Sequence, residues 1–313
     1  MAMGLYHYRC FRDYDRALEK IERAAAERPD DTDVLGWKAT IFKRQGRYDE
    51  AIQLRERIME LDPMDDGSVR ELGVTYRLMR EYARAIEAYD RAIAIAPDVA
   101  SPHFRKAIIY FAWKGTTSEA RASLEAMPSG AGEQDLARDA WFWLEFYEGR
   151  YEEALARAQA GPEMFADQLT LNSRASRSAL CLEQLGRTAE ANAAWKEDVE
   201  LLEIEKQRRP DDFRVHLDLA MPLAALGRGE ASLAAARRAM ELMPMTKDVE
   251  AGPAPIESLL LAHLRLGQFD EAFAVLETLP QESPFTPARM RLDPRFESLV
   301  ELPRFAELER RSN

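Results

Sequence analysis

The chain has 313 residues, 46% of them hydrophobic and 31% charged, and carries a formal net charge of −12. That apolar share builds an extended core, while the acidic balance argues against DNA or RNA as the main partner, because phosphate binding needs an excess of Lys and Arg on one face. No apolar run approaches the roughly 20 residues a membrane span needs, and the opening Met1 to Arg9 lacks the apolar segment of a secretory signal.

The predicted elements repeat along the chain. Pro29, Pro63 and Pro97 are 34 residues apart (63−29 and 97−63). Tyr14, Tyr48 and Tyr82 keep that spacing, as do Ala17, Ala51 and Ala85, and Ala39, Gly73 and Ala107. Independent residue types locked to one period mean tandem copies of one unit. The clearest unit runs from Thr32 to Asp65. Asp31 or Thr32 caps a first helix with Leu35, Ala39 and Phe42 on one face, and Gln45-Gly46-Arg47 breaks it. A second helix opens near Asp49-Glu50, whose charge suits a helix N-terminus, buries Ala51, Ile52, Ile58 and Leu61, and stops at Pro63. Ala39 and Ala51 are small where the two helices cross, and a large side chain there costs about 1–3 kcal/mol.

Eight such hairpins are predicted, with turns near Arg12, Gly46, Arg80, Gly115, Gly149, Gly186, Gly227 and Gly267. The first helix of the first hairpin starts late, so the array is expected to be cut at its N-terminal side. Residues 1–128 hold the regular repeats, and 133–291 hold degenerate ones beyond a joint at 128–132, where Pro128-Ser129-Gly130-Ala131-Gly132 is the most flexible composition. The fifth hairpin has a short second helix ended by Gly161-Pro162, and the sixth a long one from Ala191 to about Arg208. Pro222 is expected to kink or break the first helix of the seventh. Residues 292–313, with Phe296, Leu299, Val300, Phe305 and Leu308, form a C-terminal cap. No sheet is expected.

The blocks Arg12-Asp13-Tyr14-Asp15-Arg16-Ala17, Gly46-Arg47-Tyr48-Asp49-Glu50-Ala51 and Arg80-Glu81-Tyr82-Ala83-Arg84-Ala85, with later versions at Gly149 and Gly267, resemble the tetratricopeptide repeat. The opening Leu5-Tyr6-His7-Tyr8-Arg9 and the tail Arg291-Leu292-Asp293-Pro294-Arg295-Phe296 are similar to such arrays in bacterial multidomain signalling proteins. The resemblance implies an all-α, right-handed superhelical solenoid of antiparallel helix pairs, whose first helices line a concave groove. By register, its groove residues include Tyr6 and Arg9, Lys43 and Arg44, Arg70 and Arg77, Phe104 and Phe111, and Trp143, Phe146 and Tyr147. Arg9, Lys43 and Arg77 are 34 apart, so they are expected to stack as a cationic ladder ahead of an aromatic wall.

A ladder of that kind suits an extended protein or peptide segment with acidic residues beside bulky apolar ones. The family's carboxylate-clamp pattern is absent, because Gly36, Thr40 and Glu71 stand at its positions. Nothing resembles a catalytic constellation, phosphate loop or cofactor fingerprint, and His7, His103, His216 and His263 keep no metal-ligand spacing. The two cysteines, Cys10 and Cys181, point to a reducing, cytoplasmic setting. The expected function is therefore that of a non-enzymatic protein-interaction scaffold in a bacterial signalling protein, without cofactor or metal. Two alternatives stand beside it. One is a ligand-sensing domain that closes around a small peptide or metabolite, and the other is a homodimerisation module.

Overall fold

Each hairpin is closed by the same backbone device. In the second, the Asp31 carboxylate accepts from the Val34 N–H at 3.1 Å and starts α3 (Thr32–Arg44). At its end Gly46 takes φ 76°, while the Gly46 N–H donates to Lys43 and the Arg47 N–H to the Phe42 carbonyl. These are the paired bonds of a Schellman turn, and α4 (Tyr48–Leu61) then runs back. The same pair of bonds recurs at Arg80, Gly149, Gly186, Gly227 and Gly267. All eight predicted turn residues have positive φ, from 50° at Arg12 to 76° at Gly46.

The computed structural model describes residues 1–128, 130, 135–279, 283 and 285–312. Among them are nineteen α-helices. The first hairpin pairs α1 (Ala2–Tyr6), prolonged by a π turn at His7–Phe11, with α2 (Tyr14–Glu27). The third joins α5 (Asp66–Leu78) to α6 (Tyr82–Ile95), and the fourth α7 (Ser101–Trp113) to α8 (Ser118–Glu125). Four degenerate pairs follow: α9 (Asp135–Tyr147) with α10 (Tyr151–Gln159), α11 (Arg174–Gln184) with α12 (Thr188–Arg208), α13 (Phe213–Ala225) with α14 (Gly229–Leu242), and α15 (Pro253–Arg265) with α16 (Phe269–Thr278). The cap comprises α17 (Pro287–Leu292), α18 (Glu297–Val300) and α19 (Pro303–Ser312). Its Phe296, Leu299 and Phe305 are buried against Leu260, Leu264 and Phe273. Residues 129, 131 and 132 of the expected joint lie outside the described residues.

Two expectations need correcting. A small sheet exists: β1 (Met164–Ala166) and β2 (Leu171–Ser173) pair antiparallel, Met164 opposite Ser173. Its turn is nucleated by Asp167, whose Oδ1 accepts from the Leu169 and Thr170 N–H groups at 2.7 and 2.8 Å, a local bond that aspartate offers the backbone. Of the kink or break expected at Pro222, the break does not occur, for α13 runs unbroken to Ala225. Leu219 and Leu223, packed in the core on either side of the proline, hold the helix through the lost hydrogen bond.

The array then folds back on itself. The chain exposes 14319 Å², within a tenth of the roughly 13,300 Å² expected for a compact monomer of its mass. The first four turns make the closure. Arg12 donates to the Gln168 carbonyl and lies over the Phe213 ring, 4.9 Å from its centroid. A Cβ at Gly46 would stand 3.3 Å from Val249. Arg80 donates from Nε and Nη2 to the Ser283 carbonyl at 3.1 and 2.6 Å, and a Cβ at Gly115 would stand 2.9 Å from the Ala288 carbonyl oxygen. At the last four turns, Gly149, Gly186, Gly227 and Gly267, such a Cβ would meet nothing within 4 Å among the described residues. The turn edge of the first half is thus docked on the second half.

Candidate functional site: a self-filled groove and a central chamber

The loop between α14 and α15 enters the groove that the cations line. Its Val249 N–H donates to the Arg44 carbonyl at 3.0 Å, a single strand-like bond that lays Asp248-Val249-Glu250 along α3. Asp248 is fully buried. It accepts from the Tyr14 hydroxyl at 2.5 Å and pairs with Arg44 at 3.2 Å and Arg12 at 3.7 Å. Its Oδ1 also accepts from the Glu250 and Ala251 N–H groups at 2.9 and 3.0 Å, which fixes the loop's bend. Glu250 meets Lys43 at 3.4 Å, Arg44 at 3.2 Å and Arg77 at 3.4 Å. Burial alone would raise its pKa, but Lys43, then Arg44 and Arg77, more than offset this and hold it below the ordinary carboxylate value. Lys43 is shared with Glu71 at 2.8 Å.

The ladder thus has Lys43 and Arg77 as rungs, reinforced by Arg44. Arg9 does not join it. It is solvent-exposed and lies over the Trp37 ring at 5.4 Å, because the short first helix sets it at the rim. Tyr6 is half exposed, edge-on to Phe11. Arg70 is spent on bracing, with bonds to Asp66 at 2.8 Å and Ser101 at 3.1 Å.

Beyond the ladder the groove opens into a chamber of about 390 Å³. Phe104 and Phe111 from α7, and Trp143 and Tyr147 from α9, form one wall. The sheet residues Phe165 and Asn172 and the turn between them, with Leu217, Asp218 and Met221 from α13, face it. Arg177 of α11, Glu257 of α15, Arg289 of α17 and Arg295 also line it. Phe146 is not in that wall. It is 1% exposed, stacked on Phe142 in the core with Trp195 and Leu155, because positions 142 and 146 fall on the face of α9 turned to α10 and α11. Trp143 is flanked by two guanidiniums, Arg177 at 4.9 Å and Arg295 at 4.8 Å from its ring centre. Burial raises the Tyr147 pKa, although Arg289 opposes the rise.

Register reasoning could not find Asp248, Glu250, Gln168, Asp218, Arg289 or Arg295. They lie in loops, in the sheet turn, on a degenerate helix or in the cap, with no period to mark them. One signal was legible: arginine fills two of eight turn positions that glycine otherwise holds, and both arginines make closing contacts.

The fold is that of a helical-repeat solenoid. The tetratricopeptide repeat family profile matches residues 11–72, and a second tetratricopeptide profile matches residues 69–99, so residues 11–99 are tetratricopeptide repeats. Among solved structures, the chain is similar to a tetratricopeptide repeat protein from Parabacteroides merdae. The TM-score is 0.52 and the identity 15%, over 80% of this chain and 95% of that one. It also overlaps a thermophilic tetratricopeptide protein of Thermus thermophilus, at TM-score 0.45 and 23% identity, over 61% of this chain and 95% of that one. No curated protein matches the sequence. Tetratricopeptide proteins generally mediate protein–protein or peptide interactions, and repeat scaffolds of this kind are typically non-enzymatic. Among the described residues no helix is long and apolar enough to cross a membrane.

Proposed function

We propose that the chain is a ligand-sensing tetratricopeptide module that takes a small molecule or a peptide end in its central chamber. The observation that carries this reading is the chamber itself, about 390 Å³ walled by Phe104, Phe111, Trp143 and Tyr147, within the size range of small-molecule sites. The ladder supports it indirectly, since Glu250 already occupies the space an extended acidic partner needs. A second reading keeps the ladder as the site, with an acidic partner segment displacing Asp248-Val249-Glu250; the chemistry of those three residues favours it. In either case the biological setting follows the resemblance of the opening and the tail to bacterial signalling arrays, and with it a cytoplasmic location.

The test uses a neutral apolar dye. Ile108 lines the chamber yet is 42% exposed, so Ile108→Trp adds volume there without overfilling the core. Nile red should brighten on binding the parent protein and lose at least tenfold in affinity for the variant. Equal affinity for both proteins, or no binding to either, contradicts the chamber reading.

A further inference from the structure

Charge accounting in the chamber selects a ligand class; this step rests on the chamber reading above. Three cations line the wall and each has a carboxylate. Arg177 pairs with Asp139, Arg295 with Asp293 at 2.6 Å, and Arg289 with Glu257 at 3.6 Å. Two lining carboxylates, Asp167 in the sheet turn and Asp218 on α13, have no cation within 4 Å among the described residues. Arg214 is committed to Asp212 at 2.6 Å and gives Asp167 only a bond to its backbone carbonyl.

Asp218 bears the mark of an uncompensated charge. Its Oδ2 accepts one bond, from the Leu171 N–H at 2.8 Å. Burial drives its pKa up to about 7, the Asp167 charge adds to the rise, and Arg177 and Arg214 oppose it. Asp167 Oδ1 is already bonded by the Leu169 and Thr170 N–H groups and the Thr170 hydroxyl, so among the described residues the oxygens without a hydrogen bond at this point of the wall are Asp167 Oδ2 and Asp218 Oδ1.

We propose that the chamber takes a ligand with a primary ammonium group on an apolar or aromatic body, the cation held at Asp218 and Asp167 and the body against Phe104, Phe111 and Trp143. An ammonium supplies the positive charge these two carboxylates lack, together with donors for their remaining oxygens, and aromatic faces attract cations as well as apolar surface. A free amine and the N-terminal residue of a peptide share that chemistry.

Titration calorimetry at pH 8 separates the outcomes with three probes that share one ring: tryptamine, indole-3-ethanol and indole-3-acetate. Tryptamine should bind at least tenfold more tightly than indole-3-acetate. Asp218→Asn should erase that preference while indole-3-ethanol still binds, since an amide oxygen still accepts from Leu171 and keeps the wall in place. Should Asp218→Asn not fold, Ser176→Lys, which tethers an ammonium to the chamber wall, should erase the preference in its place. Tryptophanyl-glycinamide, carrying a free α-amino group, binding more tightly than tryptamine assigns the site to a peptide N-terminus; the reverse order assigns it to a free amine. Indole-3-acetate binding as well as tryptamine, or tryptamine binding unchanged in both variants, overturns the cationic class and leaves the Nile red result standing. Failure of Nile red and all three indoles to bind overturns the chamber itself.

Discussion

The residues that decide this molecule are charged ones placed out of water. Removing one partner of such a cluster leaves the others buried and unpaired, at a cost of about 3–5 kcal/mol. Reversing Arg9, Lys43 and Arg77 to Glu together, the obvious way to probe the ladder, therefore attacks the fold as well as binding, because Lys43 and Arg77 hold Glu250. Asp198 is the opposite case. It is buried, the Ser173 hydroxyl donates to its Oδ1 at 2.6 Å, and its Oδ2 has no hydrogen-bond partner. Burial raises its pKa to about 7, opposed by the Ser173 bond, with Asp218 and Glu197 adding to the rise. The folded chain thus binds a proton at Asp198 and at Asp218 more tightly than the unfolded chain does. Stability falls as pH rises from the ordinary aspartate value near 4 towards 7, and the full penalty remains above it. Melting temperature should be higher at pH 5.5 than at pH 8, and Asp198→Asn should shrink that difference. An identical difference in the variant contradicts the assignment.

At the scale of elements, the period of 34 residues made the helix pairs and their turns legible, because each turn needs a left-handed residue and each crossing a small one. Gly73 shows how tight the crossing is. A Cβ there would sit 2.5 Å from the fully buried Tyr89 ring. Gly73→Ala gains about 1 kcal/mol of helix propensity but forces the ring aside, which costs about 1–3 kcal/mol. A lowered denaturation midpoint in urea is expected, and a raised one contradicts the packing. The elements that sequence reading missed or mistook share one physical feature: tertiary contacts override local rules. Core packing on both sides carries α13 through Pro222, a single aspartate nucleates the sheet, and the face of α9 that takes Phe146 depends on neighbours up to Trp195.

At the scale of the whole molecule, the array closes on its own concave groove, and nothing in a repeat period reports a contact between residues 44 and 248. The strain is visible in two non-glycine turns. Arg12 and Arg80 hold left-handed backbone at φ 50° and 57°, a conformation costing about 1–2 kcal/mol. Both spend their side chains on the second half of the chain. The closure, more than the ladder or the aromatic wall alone, creates the chamber. Small-angle X-ray scattering on the parent protein and on Asp248→Ala/Glu250→Ala tests it directly. The parent should show a radius of gyration near the ~20 Å of a compact chain of this length. The double variant should remain helical by circular dichroism but expand by several ångströms, as the halves separate where Arg12, Lys43, Arg44 and Arg77 lose their partners. A parent already expanded well beyond that value, or a double variant with an unchanged radius, contradicts the closed array.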